Sequence, residues 1–116
     1  MPSNRHRRID CLQDIIDNIA RIEAYSDGLE QDSLRHDAVQ RCLERICEAA
    51  FRLGDHAATL LPAQPWADIR GMGNRLRHAY DQMDVRILWN VVSERLPGLQ
   101  ADAATALARL TGDAGS

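Results

Sequence analysis

The chain has 116 residues, 45% of them hydrophobic and 27% charged, with a formal net charge of −3 at pH 7. Such content excludes a disordered chain, and no apolar run approaches the ~20 residues that a membrane span needs. A balance of 14 basic and 17 acidic groups excludes a bulk polyanion binder, so any contact with nucleic acid requires a local patch.

The first predicted helix runs from about Arg8 to Ser26. On a wheel of ~100° per residue, Ile9, Leu12, Ile15, Ile16, Ile19 and Ile22 share an arc of about 140°. Glu23 falls on that arc and is expected to turn outward or to pair with an arginine. Gly28 marks the stop. The second helix is capped by Asp32 or Ser33. Its apolar stripe runs from Val39 through Cys42, Leu43, Ile46 and Leu53 to Leu60 and Leu61. The phase survives Gly54, so one long helix over 33–61 is predicted. Pro62 and Pro65 then enforce a break. A third helix spans Trp66 to Tyr80, and Asp84 caps a fourth that carries Val85, Leu88, Trp89, Val92 and Leu96. Pro97-Gly98 is predicted to end it. A short fifth helix uses Leu99, Ala103, Ala106, Leu107 and Leu110.

No segment alternates with period two, and no hairpin signal appears. The expected fold is all-α, an antiparallel four-helix bundle with a short fifth helix. One domain over residues 1–111 is expected, followed by a frayed tail at 112–116. The basic start, Arg5-His6-Arg7-Arg8, leads into Asp10 rather than an apolar leader, so the expected location is the cytoplasm. Cys11, Cys42 and Cys47 contain no CxxC pair and read as small core residues. Trp66 and Trp89 read as core anchors. His6, His36 and His56 lie in a tail or on helix edges and receive no role.

Residues 66–81 differ from the rest. Arg70, Asn74 and His78 are spaced i, i+4, i+8 and form a polar stripe on one helix. Arg75 flanks the stripe and Arg77 adds further charge, so a positive patch stands on an acidic protein. The opposite side, with Trp66, Ile69, Met72, Leu76, Ala79 and Tyr80, reads as buried. A phosphate fits such a stripe, with arginine forks as donors and imidazole as proton carrier. A solvated surface face has the same composition. The spacing of a metal site such as HExxH is absent, and no cofactor is expected.

Trp66, then Arg70-Gly71-Met72-Gly73-Asn74-Arg75-Leu76-Arg77-His78-Ala79-Tyr80, then Asp84, Trp89 and Leu96-Pro97, resembles the HepT-like branch of the HEPN helical domains. The resemblance implies a HEPN-like dimeric bundle acting as a metal-independent ribonuclease. It further implies a toxin paired with a minimal nucleotidyltransferase antitoxin, which silences it by transferring AMP to the motif tyrosine, here Tyr80. The family motif is Arg, four to six residues, His, any residue, Tyr. His78-Ala79-Tyr80 fits its end, and Asn74 fits the polar residue after the arginine. The arginine position is Gly73, while seven residues separate Arg70 from His78. The catalytic set implied is therefore His78 and Asn74 with Arg70 or Arg75 in place of the motif arginine, and Arg70, Arg75 and Arg77 on phosphate. The alternative is a HEPN domain that binds RNA or nucleotide, and its nucleotidyltransferase partner, without cutting.

Overall fold

The computed structural model describes residues 4–26, 32–78 and 84–112, and every regular element among them is helical. The order is α1 (Asn4–Tyr25), α2 (Ser33–Leu53), α3 (His56–Leu60), α4 (Trp66–Arg77), α5 (Val85–Asn90), a π-helical turn (Val91–Arg95) and α6 (Leu96–Gly112). Among the described residues the chain is an all-α bundle.

The α1 stripe packs as its period dictates. Cys11, Leu12, Ile15, Ile19 and Ile22 are fully or almost fully buried. They meet Val39, Cys42, Leu43, Ile46, Ala49 and Leu53 of α2 in a single core. Glu23 is exposed at the end of α1. The Arg52 guanidinium donates to the Asp14 carboxylate at 2.7 Å and ties α2 to α1. Arg5 donates to the Leu110 carbonyl, which fastens the start of α1 to the end of α6.

Asp32 is the cap of α2, its carboxylate accepting from the Leu34 N–H at 2.9 Å. Asp84 caps α5 in the same way, accepting from the Arg86 N–H at 2.8 Å. The Arg86 side chain also bonds this carboxylate and lowers its pKa.

Four expectations change. The single helix over 33–61 is two helices, because Gly54 turns left-handed with φ of 58° and ends α2. The helix resumes in phase as α3, so the hydrophobic stripe hides the break. Conversely, Pro97-Gly98 ends nothing. The Leu96 N–H bonds the Val91 carbonyl five residues back, and this widened π turn precedes the proline, which has no N–H to give. The predicted fourth and fifth helices are therefore one continuous helical run, and α3 is the short additional helix. Trp89 is no core anchor: it is 45% exposed, whereas Leu88 beside it is buried. His36 is not on an edge but buried, with its Nδ1 unbonded. Among the described residues no helix is long and apolar enough to cross a membrane.

Trp66 does anchor the core. It opens α4, is nearly buried, and its indole N–H donates to the Leu61 carbonyl at 2.9 Å. Gln64 in the same Pro62–Pro65 connection donates to Asp102 of α6 at 2.6 Å. These two bonds fix where α4 begins and so where its polar stripe points.

Candidate functional site

Helix α4 lies along α2 with Gly73 and Leu76 buried and Ile69 and Met72 half-buried. Arg70, Asn74, Arg75, Arg77 and His78 are all exposed. His78 closes the helix, its N–H donating to the Asn74 carbonyl at 3.2 Å. The predicted helix to Tyr80 therefore ends at Arg77. Ala79 and Tyr80 lie outside the described residues.

Among the described residues, no hydrogen bond or ion pair holds the side chains of Arg70, Asn74, Arg75 or His78. Helix geometry orders them nonetheless. Arg75 precedes His78 by three residues, about 4.5 Å along the axis and about 60° around it. Arg70 is about 12 Å away along the axis. Helical side chains lean toward the N-terminus, so His78 leans toward Asn74 and Arg75 while Arg70 leans away. Arg75 is thus better placed than Arg70 to share a phosphate with the imidazole.

Glycine at position 73 fits closely against α2. A Cβ at Gly73 would lie 3.0 Å from the Cys47 Cβ and 3.6 Å from its Sγ. At Gly73 α4 approaches α2 closely, and that contact is against the backbone-fixed part of the cysteine. The Cys47 thiol donates to the Ile69 carbonyl at 3.7 Å. Burial pushes the Cys47 pKa up to about 11, against a lowering pull from Arg77.

Arg77 takes a different course from the stripe. Its guanidinium carbon sits 6.0 Å from the centroid of the Phe51 ring on α2. One of its nitrogens lies 4.0 Å from where a Gly73 Cβ would stand. Arg77 therefore folds back along the α2–α4 seam, away from His78. A cleft of about 210 Å³ opens there, lined by Arg41, Glu44, Arg45, Cys47, Glu48, Gly73 and Arg77. The α2 residues of this cleft were invisible in the sequence, because their relevance depends on how α2 and α4 pair.

A second, mostly apolar groove of about 570 Å³ lies between α2, α4 and the α5–α6 run, with Leu43, Ile46, Ile69 and Met72 on its walls. An Arg95–Asp68 pair at 3.7 Å stands at its rim. None of Arg70, Asn74, Arg75, Arg77 or His78 lines it. Among the described residues no group of three or more His, Cys, Asp or Glu side chains could hold a metal ion.

Residues 12–106 match the family model described as Ribonuclease HepT-like, and the chain belongs to that family. It is 35% identical over 96 residues to the "Probable ribonuclease HepT" of Thermococcus cleftensis, covering 78% of this chain and 87% of that protein. It is 29% identical over 94 residues to a "Putative RNase" of Methanocaldococcus jannaschii, covering 81% of this chain and 84% of that one. A "Putative RNase" of Caldanaerobacter subterraneus subsp. tengcongensis is 30% identical over 83 residues, 71% of this chain and 74% of its own. No solved structure matches the chain.

Proposed function

We propose that the protein is an RNA endonuclease that cleaves by internal attack without a metal ion, and that it is the toxin of a toxin–antitoxin pair. The observation that carries this reading is the exposed His78 at the end of α4, with Asn74 and Arg75 one turn before it, in a HepT-like chain. A neutral imidazole of His78 takes the proton from a ribose 2′-hydroxyl. The 2′-oxygen then bonds the adjacent phosphorus as the bond to the 5′-oxygen breaks. Arg75, assisted by Arg70, stabilises the charge gathering on the phosphoryl oxygens. Asn74 orients the imidazole or holds a phosphate oxygen, and Arg77 adds positive charge on the flank. In a homodimer the second His78, protonated, gives its proton to the leaving 5′-oxygen. The products are a 2′,3′-cyclic phosphate and a 5′-hydroxyl.

The pairing partner is a minimal nucleotidyltransferase that moves AMP onto Tyr80, two residues after His78. The added phosphodiester charge and bulk repel and obstruct RNA phosphates. Such a toxin acts in the cytoplasm. Cleavage of a labelled RNA in excess chelator, lost in His78→Ala, supports the scheme; cleavage that persists in His78→Ala refutes it. Intact mass after incubation with the transferase and ATP tests the modification. A mass gain of one or more AMP units in the native chain and none in Tyr80→Phe is the expected result.

One observation favours a second reading, binding without cleavage. The Cys47 contact leaves no room for the motif arginine at Gly73. On that reading Arg70→Ala and Arg75→Ala weaken RNA binding, and no cleavage is found at any enzyme concentration.

A further inference from the structure

Among the described residues the α2–α4 seam holds an exposed aromatic ring and an arginine in no ion pair, and the cleavage scheme does not use them as a pair. Phe51 is 61% exposed on α2, although no core contact requires it there. Arg77 reaches back over Gly73 to lie above that ring. Among the described residues it forms no ion pair, even though Glu44 and Glu48 line the same cleft. Glu44 is engaged by Arg41 at 3.2 Å.

We propose that Phe51 and Arg77 form a seat for one unpaired nucleobase of single-stranded RNA, beside the phosphate handled at His78. This inference rests on the ribonuclease reading and adds to it a specific place where the substrate is held. The ring and the guanidinium are both flat surfaces on which a base stacks, and every base has a face to offer. The cleft of about 210 Å³ adjoins this seat at Arg77, and Phe51 stands outside its lining. A duplex keeps its base faces covered and cannot use such a seat. Arg45, on the cleft wall, supplies charge for the flanking phosphate. Glu48 offers an acceptor to an exocyclic amine of the seated base and disfavours a bare phosphate in its place. Gly73 contributes by having no side chain: anything longer would occupy the track along which Arg77 folds back. Arg77 and His78 are neighbours in the chain, but the Arg77 side chain turns toward α2, so the seat lies on the flank of α4 that faces α2.

The test is fluorescence anisotropy of a labelled single-stranded oligoadenylate RNA with full-length protein carrying His78→Ala, so that nothing is cut. Phe51→Ala and Phe51→Leu are expected to weaken binding about 5- to 150-fold, the range of one lost base stack, while Phe51→Trp retains it. Arg77→Ala is expected to lower the slope of log affinity against log salt by about one. The same strand annealed to its complement is expected not to respond to Phe51 substitution. RNA binding that is unmoved by Phe51→Ala and Phe51→Leu overturns the seat but leaves the ribonuclease reading standing. A native protein that neither binds nor cleaves RNA overturns both. Loss of binding in Phe51→Ala accompanied by a fall in sedimentation from dimer to monomer also overturns the seat, since the ring then belongs to a protein interface.

Discussion

Gly73 and Cys47 bring α4 and α2 close together: a methyl group at position 73 would stand 3.0 Å from the Cys47 Cβ. Two residues earlier, Gly71 has nothing within 4 Å of the same position. The two glycines share one helix and one backbone conformation, so they separate packing from propensity. Gly71→Ala is expected to stabilise the fold by about 0.5–1 kcal/mol, because alanine favours an exposed helix interior. Gly73→Ala gains the same propensity but overpacks the seam, at a cost of about 1–3 kcal/mol. It is expected to be less stable than the native chain. Urea midpoints of the two variants check this, and equal shifts of the same sign would show that the seam yields freely.

The Trp66 indole and the Leu61 carbonyl brace the turn that launches α4. Trp66→Phe keeps most of the ring packing but removes one of the two donors to that carbonyl, the Gln64 N–H remaining at 3.2 Å. A loss of about 0.5–1.5 kcal/mol is expected, the net worth of one hydrogen bond. Because the bond sets the start of α4, the same variant is expected to lower RNA affinity as well as stability. A urea titration together with RNA anisotropy measures both effects.

The Cys47 thiol makes stability depend on pH on the alkaline side. Folded, it keeps its proton to about pH 11; unfolded, it releases it near 9.0. Between those values the unfolded chain binds fewer protons than the folded one, so unfolding becomes easier as pH rises. The contribution is fully present below pH 9 and falls away toward pH 11. Between pH 8.5 and 10.5 the native chain is expected to lose roughly 1–2 kcal/mol more than Cys47→Ala. Parallel pH profiles for the two proteins would place the thiol in contact with water.

Much of the bundle was legible because its causes are local. The α1 stripe has a 3.6-residue period, Asp32 and Asp84 are side-chain caps, and Pro62 and Pro65 cannot sit in a helix. Gly54 was misread because α3 resumes the stripe in phase: a periodicity argument sees the faces, not the φ of one residue between them. Pro97 was misread for the opposite reason. A proline usually stops a helix, but a π turn widened by one residue carries the chain past it. That turn also makes a simple wheel unreliable for the α5–α6 run, and Trp89 faces solvent. The stripe of Arg70, Asn74 and His78 was legible from spacing alone. What spacing could not show is that Gly73 meets Cys47, that Arg77 folds back to Phe51, or that α2 supplies Arg41, Arg45 and Glu48 to a shared cleft. Those are properties of the helix pair, not of either helix.

The most direct test of the central claim is the chemistry of the cut ends. A single-stranded RNA incubated with the purified protein in excess chelator, and analysed by mass, is expected to yield fragments ending in a 2′,3′-cyclic phosphate and beginning with a 5′-hydroxyl. An RNA carrying one 2′-deoxy sugar at the cleaved position is expected to stay intact there, as is the native RNA with His78→Ala. Fragments ending in a 3′-hydroxyl, or cleavage that proceeds through the 2′-deoxy position, would contradict internal attack by a His78-activated ribose.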